Sequence, residues 1–598
     1  LDIGYKQWPW LATLGWVIDQ PTLPKSDPAW GFALTPTLAR AVGGWQPDGQ
    51  RRDIQPSPLI QFFNVWLLLS IAFTLCLWRG LAAGRLLPWQ SWTANFRTGS
   101  PIMPVIVWGL LLVLYFFATW PPLIVLCWGV AVLLIAAQPH VGLWLAAAAL
   151  PFTFQHKEVS LVDATWTIAP AHVLLLCLLP ALVVRSNLGQ PFACSHKARL
   201  CVRKIALQRW DWLALAWLAL SLTASVNVWH WPAYWTGLFE LVLMPLLLYA
   251  VVRVLVVTPQ QWQRLVCALF LGGLLVAVIG LFDWLRGGGT AVDEVRRLVG
   301  PYFSANHTAL YLVRTLLIGV GIALNASGNW RRWWLGACVL VTIALFLTAS
   351  RGAWLLGIPA GGMMLGGTNL RWMRRGRLAA SRQRWLWAVL LLIMLMIGAL
   401  SLLFWERLTN LTSISQRWII WQTTFRLWQD YWWWGVGPGG FFWRYPAYLT
   451  QSTVEPNLHH PHNLWLEFAT GWGVAGLLWL GVFLFIGIRS FRQLICQKPD
   501  DQSWLKIGIA AALTAALAHA QVDAFTALPD LAAWHWLAVA LWVQTNKNPS
   551  GLTDPKGFIG ADQPLSTANQ PSHPRPPRVF AARFVLESAW QAQGRSGV

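Results

Sequence analysis

His462 and Asn463 open the stretch HNLWLEFATGWGVAG, residues 462–476, where a polar segment gives way to a long apolar run. An imidazole titrates close to ambient pH, so one held at the edge of a bilayer can serve as general base toward a hydroxyl. Asn463 can orient a ligand through its amide, and Glu467 lies one helical turn further along the same face. The preceding NLHHPH adds His459 and His460. For those two, a solvated interfacial cluster or adventitious metal binding is the plainer account. Gly473 and Gly476 stand where small residues let a neighbouring helix approach closely.

Arginines supply the complementary charge. Arg351 sits between two apolar runs in LTASRGAWLLG. Its forked donors match the oxygens of a diphosphate, and its charge cannot be lost; the alternative is an arginine snorkelling from a helix end. Arg417 opens RWIIWQTTFRLWQDYWWWGVGPGGFFWRY, where Trp418, Trp421, Phe425 and Trp428 recur at helical spacing. That spacing predicts an amphipathic helix on or near the membrane surface, with Arg417 either facing a ligand or simply solvated. Gly435, Gly437, Pro438, Gly439 and Gly440 then break the helix. The break offers backbone N–H groups but lacks the strand and the lysine of a P-loop, so a plain turn fits it better.

A further group is Arg296, Arg297 and GPYFSANHTALYL, with Arg286 nearby. These arginines would attract an anionic headgroup. Asn306 and His307 lie at another span mouth, where an ordinary loop and helix cap is the alternative. Glu240, Arg314, His519 and Asp523 are polar groups in or beside apolar runs. At such depth a functional role is the default expectation, but nothing in the local pattern assigns one.

The elements that must position these groups are membrane spans. The 598 residues are 56% hydrophobic and only 11% charged, far below the quarter or so of charged residues in a soluble chain. Apolar runs of about 17–22 residues recur, giving about fifteen spans. They fall near 59–78, 102–119, 122–138, 140–154, 166–184, 211–228, 234–255, 265–284, 306–325, 333–349, 353–367, 385–405, 462–488, 505–521 and 528–545. The net charge of +21 is gathered in short loops: Arg79, Arg85 and Arg97; Arg185 to Arg209; Arg371 to Arg384; Arg489 to Lys498. Placing these four loops in the cytoplasm gives a consistent alternation. The charge is therefore a topology signal, and nucleic acid is not an expected partner.

The largest loop, 406–461, then lies outside. So does the polar, Pro-rich segment 1–58, which begins at Leu1 and reads as part of a larger parent. Residues 546–598 read as a disordered cytoplasmic tail. Between them the expected divisions are an N-terminal transmembrane bundle over 59–297, a catalytic region over 298–488 that includes the outer loop, and a transmembrane hairpin over 489–545. Most of the 45 tryptophans fit an interfacial belt. The eight cysteines fall in spans or basic loops, so no structural disulfide is expected. Cys194, His196 and Cys201 match no zinc spacing, and no metal site is expected. The fold class is all-α: a polytopic membrane helical bundle of about 12–15 transmembrane helices with a large extracytoplasmic loop.

Four pieces in order resemble the O-antigen ligase and polymerase family of bacterial membrane glycosyltransferases: GPYFSANH, Ser350 to Gly352, the arginine and Gly-x-Gly loop from Arg417 to Gly440, and His462-Asn463 with its glycines. The similarity runs from roughly Leu298 to Ile488. It implies transfer of a glycan from a polyprenyl diphosphate carrier to an acceptor sugar hydroxyl, with no metal, nucleotide sugar or other cofactor. By that resemblance His462, Arg351 and Arg417 are the catalytic residues, with His462 acting on the acceptor hydroxyl and the arginines on the diphosphate. Asn463, Arg296, Arg297 and Asn306 are the substrate-binding candidates. The implied partners are a lipid-linked oligosaccharide donor, a glycan or lipid acceptor, the membrane, and a flippase that delivers the donor. The implied location is the bacterial inner membrane, with the site facing the periplasm or cell exterior. Ligase and polymerase are not separated by these residues. A transporter for a small anion or solute is the alternative from another class, and it would call for inverted repeats and broken helices at the midplane.

Overall fold

The computed structural model describes residues 102–118, 120–161, 164–187, 207–256, 258–292, 295–375, 412–449, 456–497 and 499–545, together with Trp387, Leu391 and Gly398. The expected spans at 59–78 and 385–405, the N-terminal segment, the tail and Cys194, His196 and Cys201 lie outside them, apart from those three single residues. The chain divides into two compact units. One comprises 1–137, 155–169 and 176–190; the other comprises 138–154, 170–175 and 191–598.

In the first unit, helices α1 (Ile102–Phe117) and α2 (Pro121–Ala137) pack together. An antiparallel hairpin, β1 (Lys157–Leu161) and β2 (Ala164–Ile168), stands beside them. Lys157 Nζ caps α1 by donating to the carbonyls of Tyr115 and Phe116. The expected span at 166–184 thus starts later, as α4 (Pro170–Asn187), since Trp166 and Ile168 belong to a strand.

The second unit holds the rest. Its helices are α3 (Pro139–Ala149), α5 (Arg209–Thr223), α6 (Trp231–Leu255), α7 (Pro259–Leu285), α8 (Ala305–Asn325), α9 (Gly328–Leu347), α10 (Ile358–Arg374), α11 (Thr412–Asp430), α12 (Leu464–Cys496), α13 (Ser503–His519) and α14 (Pro529–Thr545). A second hairpin, β3 (Thr290–Val292) with β4 (Val295–Arg297), links α7 to α8. Among the described residues α6, α7, α8, α9 and α12 are long and apolar enough to cross a membrane. This is an all-α, multi-pass membrane bundle.

Local chemistry sets the helix starts. Thr258 and Gln261 form a reciprocal capping box at α7, and the Ser304 hydroxyl accepts the His307 N–H at α8. Each satisfies backbone donors that the first turn leaves without a helical partner. Packing then sorts the faces. On α7, Leu271, Leu275, Val278, Phe282 and Leu285 recur every three or four residues and are all exposed. Leu478, Val482, Phe485 and Ile488 form the same stripe on α12. Apolar stripes on the outside of a helix suit lipid as the solvent. By contrast α8 is buried along its whole apolar window. It packs against α7, α9 and α13, with Gly321 and Gly508 allowing close backbone approach to α13. The starts of α8, α12 and α14 and the ends of α9 and α13 meet at one face of this unit, and the site lies there.

Candidate active site at the converging helix ends

His462 stands immediately before α12 with φ +53°. A left-handed conformation in a non-glycine residue persists only where the surroundings over-determine it. Here they do. Asn463 caps α12 by accepting the N–H groups of Trp465 and Leu466, while its own amide donates to the Gln521 carbonyl at 3.0 Å. The Leu464 N–H donates to the Ala520 carbonyl at 2.7 Å. The Trp465 indole donates to the Gln521 side chain. These bonds tie the first turn of α12 to the loop between α13 and α14.

The far end of that loop is held by Glu467. Its carboxylate accepts the Phe525 N–H at 3.0 Å and both the N–H and the hydroxyl of Thr526, each at 2.8 Å. Beyond it, Asp530 at the start of α14 lies 2.9 Å from His307 Nε2 and accepts the Tyr302 hydroxyl. The Tyr302 and His307 rings stack at 4.1 Å. Between these anchors the loop presents Asp523, whose Oδ1 lies 3.0 Å from His462 Nδ1. Burial alone would raise the Asp523 pKa. The hydrogen bond to His462 and the electrostatic influence of the surrounding His462, His519 and Arg417 reverse this and hold it well below the usual carboxylate range. Asp523 is thus a buried carboxylate kept ionised by its hydrogen bond to His462 and by the positive charge of Arg417 nearby.

Arg417 reaches this centre through α11. Trp421, one turn on, donates its indole N–H to the carbonyls of Pro461 and His462. That contact lays α11 across the start of α12. Residues four apart share a helix face, so Arg417 and Trp421 lie on the same side.

Arg351 follows Ala349, the other described non-glycine residue with positive φ, at +49°. The Ala349 turn ends α9 and starts the segment leading into α10 through a π-helical turn, Ala353–Gly357. Arg297 braces the same turn. Its Nε donates to the Thr348 carbonyl at 2.8 Å and a terminal nitrogen donates to Asn306 Oδ1 at 2.6 Å, while the Leu298 N–H bonds the Leu347 carbonyl. At Gly352 the backbone lies against the His519 ring and Val522, so the turn abuts the residues flanking Asp523. Arg297 and Asn306 therefore join the Arg351 turn through protein contacts. Arg296 is exposed on the hairpin and lies over the Trp284 ring at 4.1 Å.

The glycine-rich break after α11 is a docking segment. Gly473 has φ +65° and ψ −156° inside α12, a conformation that interrupts the helical hydrogen-bond ladder. The carbonyls of Thr470 and Gly471 accept the N–H groups of Val436 and Gly437, and the Val474 N–H donates to the Trp432 carbonyl. A Cβ on Gly473 would run into the Trp433 carbonyl. The close neighbour of Gly473 is thus the 432–437 segment, where a helix was expected.

His462, Asn463, Arg351, Arg417, Arg297 and Asn306 all belong to this assembly of helix ends, and Arg296 stands at its hairpin edge. Sequence reasoning left Asp523 without a role and saw Glu467 only as a residue on the right face. The signal at Asp523 was an acidic group between two apolar runs; its partner lies 61 positions away. Residues 336–481 match the family model described as O-antigen ligase, a stretch that contains Arg351, Arg417, His462 and the kinked start of α12. Arg297, Asn306 and Asp523, which complete the site, lie on either side of the match. No curated protein matches the chain. Over residues 336–481 the chain is thus similar to the O-antigen ligase family.

Proposed function

We propose that the protein transfers a glycan from a polyprenyl diphosphate carrier to a sugar hydroxyl of the acceptor, as an O-antigen ligase or polysaccharide polymerase of the bacterial inner membrane. The observation that carries this reading is the His462–Asp523 contact beside Arg417. An ionised Asp523 favours the His462 tautomer with its proton on Nδ1, which leaves the Nε2 lone pair to receive the acceptor's proton. The acceptor oxygen then bonds to the anomeric carbon as the bond to the diphosphate oxygen breaks. The leaving diphosphate departs with the electron pair, and Arg351 and Arg417 neutralise its charge. Attack opposite the leaving group inverts the anomeric centre. Asn463 positions His462 by tying the start of α12 to the loop between α13 and α14, Arg296 attracts the anionic carrier, and Arg297 and Asn306 act through the Arg351 turn.

The charge distribution supports an orientation for the site. Arg371, Arg374 and Arg375 end α10, and Arg489 and Arg492 lie toward the end of α12 remote from His462. The positive-inside rule supports a cytoplasmic position for those ends and a periplasmic one for the site. There a flippase would deliver the donor.

The test is turnover by purified protein in nanodiscs of a glycan linked to a polyprenyl diphosphate, with an acceptor glycan or lipid. Release of free carrier diphosphate matched one to one by elongated acceptor supports the transfer. Carrier release without acceptor product, or passage of an anion across vesicles without carrier release, contradicts it.

A further inference from the structure

His460 is a buried side chain for which the transfer reaction has no use. Neither of its ring nitrogens has a hydrogen-bond partner. An imidazole always carries one N–H donor, so burying it without a partner is costly. What faces it is informative. Its Nε2 lies 3.7 Å from Asp523 Oδ1, too long for a hydrogen bond, and its ring lies 4.2 Å from that of His462. His462 Nδ1 is 3.0 Å from the same carboxylate oxygen. One ligating atom from each of His460, His462 and Asp523 falls within 4.8 Å of the others.

A tetrahedral zinc ion bound at about 2.0–2.1 Å holds its ligands about 3.3 Å apart. The two imidazole–carboxylate separations, 3.0 and 3.7 Å, bracket that value, and the third lies within 4.8 Å, so side-chain rotations can close the set. Two imidazoles and one carboxylate are a donor set suited to zinc-type divalent ions, which favour nitrogen over the all-oxygen shells of magnesium and calcium. The His462 side chain is partly exposed, leaving an approach for the ion and a coordination position for water.

We infer that His460, His462 and Asp523 form a binding site for a zinc-type divalent cation, and that the ion inhibits transfer. The inhibition follows from the tautomer. A metal on His462 Nδ1 requires that nitrogen unprotonated, so the remaining proton sits on Nε2. An Nε2–H cannot receive the proton of the acceptor hydroxyl. The ion also takes the carboxylate that would otherwise steady the imidazolium. Binding requires only the three side chains; inhibition rests on the role of His462 proposed above.

The full chain in nanodiscs is titrated with Co²⁺, whose visible d–d bands report ligand number and geometry, and Zn²⁺ is then added in competition. Wild type should develop tetrahedral-type bands at one equivalent and lose them to Zn²⁺. His460→Ala should weaken binding by about tenfold or more, and His460→Gln, which keeps the side-chain bulk, should do the same. Unchanged Co²⁺ bands in both variants overturn the site whatever the transfer assay reads. In the transfer assay, both variants should keep basal turnover and require at least about tenfold more Zn²⁺ for half-inhibition. Equal zinc sensitivity of wild type and variants overturns the inhibitory role even where the binding stands.

Discussion

Nδ1 of His462 lies 3.0 Å from Oδ1 of Asp523, a contact that spans 61 positions of sequence and two helix ends. The loop carrying Asp523 is held before that residue by Asn463 and Leu464 at the start of α12, and after it by Glu467 on α12 and by His307 and Tyr302 at the start of α8. The dyad is therefore a product of how the spans pack.

Removing the charge but keeping the shape of Asp523 tests the tautomer directly. Asp523→Asn should lower turnover about 10²–10⁴-fold with a much smaller change in KM for the lipid-linked donor, because the proton on His462 is no longer directed to Nδ1. The kcat and KM of transfer, measured separately, decide it. A variant that loses donor affinity and keeps kcat points instead to a substrate-binding carboxylate.

Glu467 should behave as a positioning residue. In Glu467→Gln one amide N–H₂ faces donors from Phe525 or Thr526 that need an acceptor. Leaving a buried donor unpaired costs about 1–3 kcal/mol, so the unfolding midpoint in detergent should fall and transfer should fall with it. Glu467→Asp, which keeps the charge on a shorter stem, should recover part of both. An unchanged midpoint in Glu467→Gln contradicts the clamp.

Gly473→Ala places a side chain against the Trp433 carbonyl at a backbone conformation that L-residues avoid. The expected result is detachment of the 432–437 segment from α12, at a cost of about 1–3 kcal/mol. Faster proteolysis after Tyr431–Trp434 in detergent is the readout. Gly481→Ala, where a Cβ meets nothing nearby, is the control and should leave cleavage unchanged.

The helices were readable in the sequence because a bilayer imposes length and hydropathy on each span. The expected span 306–325 is Ala305–Asn325, and the expected 505–521 is Ser503–His519. His462 was visible because a histidine and an asparagine before an apolar run form a local pattern. Asp523 was not, because its meaning depends on a partner across the bundle. Arg297 shows the same limit: its charge was legible as an attraction for anions, whereas its bonds to Thr348 and Asn306 exist only after folding. The glycine-rich break could be read as a turn, but its dock on the kink at Gly473 needed both segments in place.

The pH dependence of stability follows from Asp523. Its folded pKa is depressed, so its contribution is fully present above the unfolded value of about 4 and is lost as pH falls through the lower folded value. His460, His462, His519 and Arg417 are the groups facing it. The midpoint difference between wild type and Asp523→Asn should stay constant from pH 8 to 6 as far as this carboxylate is concerned. It should shrink only under acid conditions, below about pH 4. Thermal scans at fixed ionic strength measure it; a difference already lost by pH 6 contradicts an ionised Asp523 with a depressed pKa.

The most direct measurement is glycan transfer by purified protein in nanodiscs, with donor binding followed in parallel, for wild type, His462→Ala, Arg351→Ala and Arg417→Ala at matched folding. With His462 as base and the arginines on the diphosphate, His462→Ala should bind donor normally and fail to transfer. The two arginine variants should lose donor affinity and turnover together. Transfer at the wild-type rate by His462→Ala would contradict the central assignment.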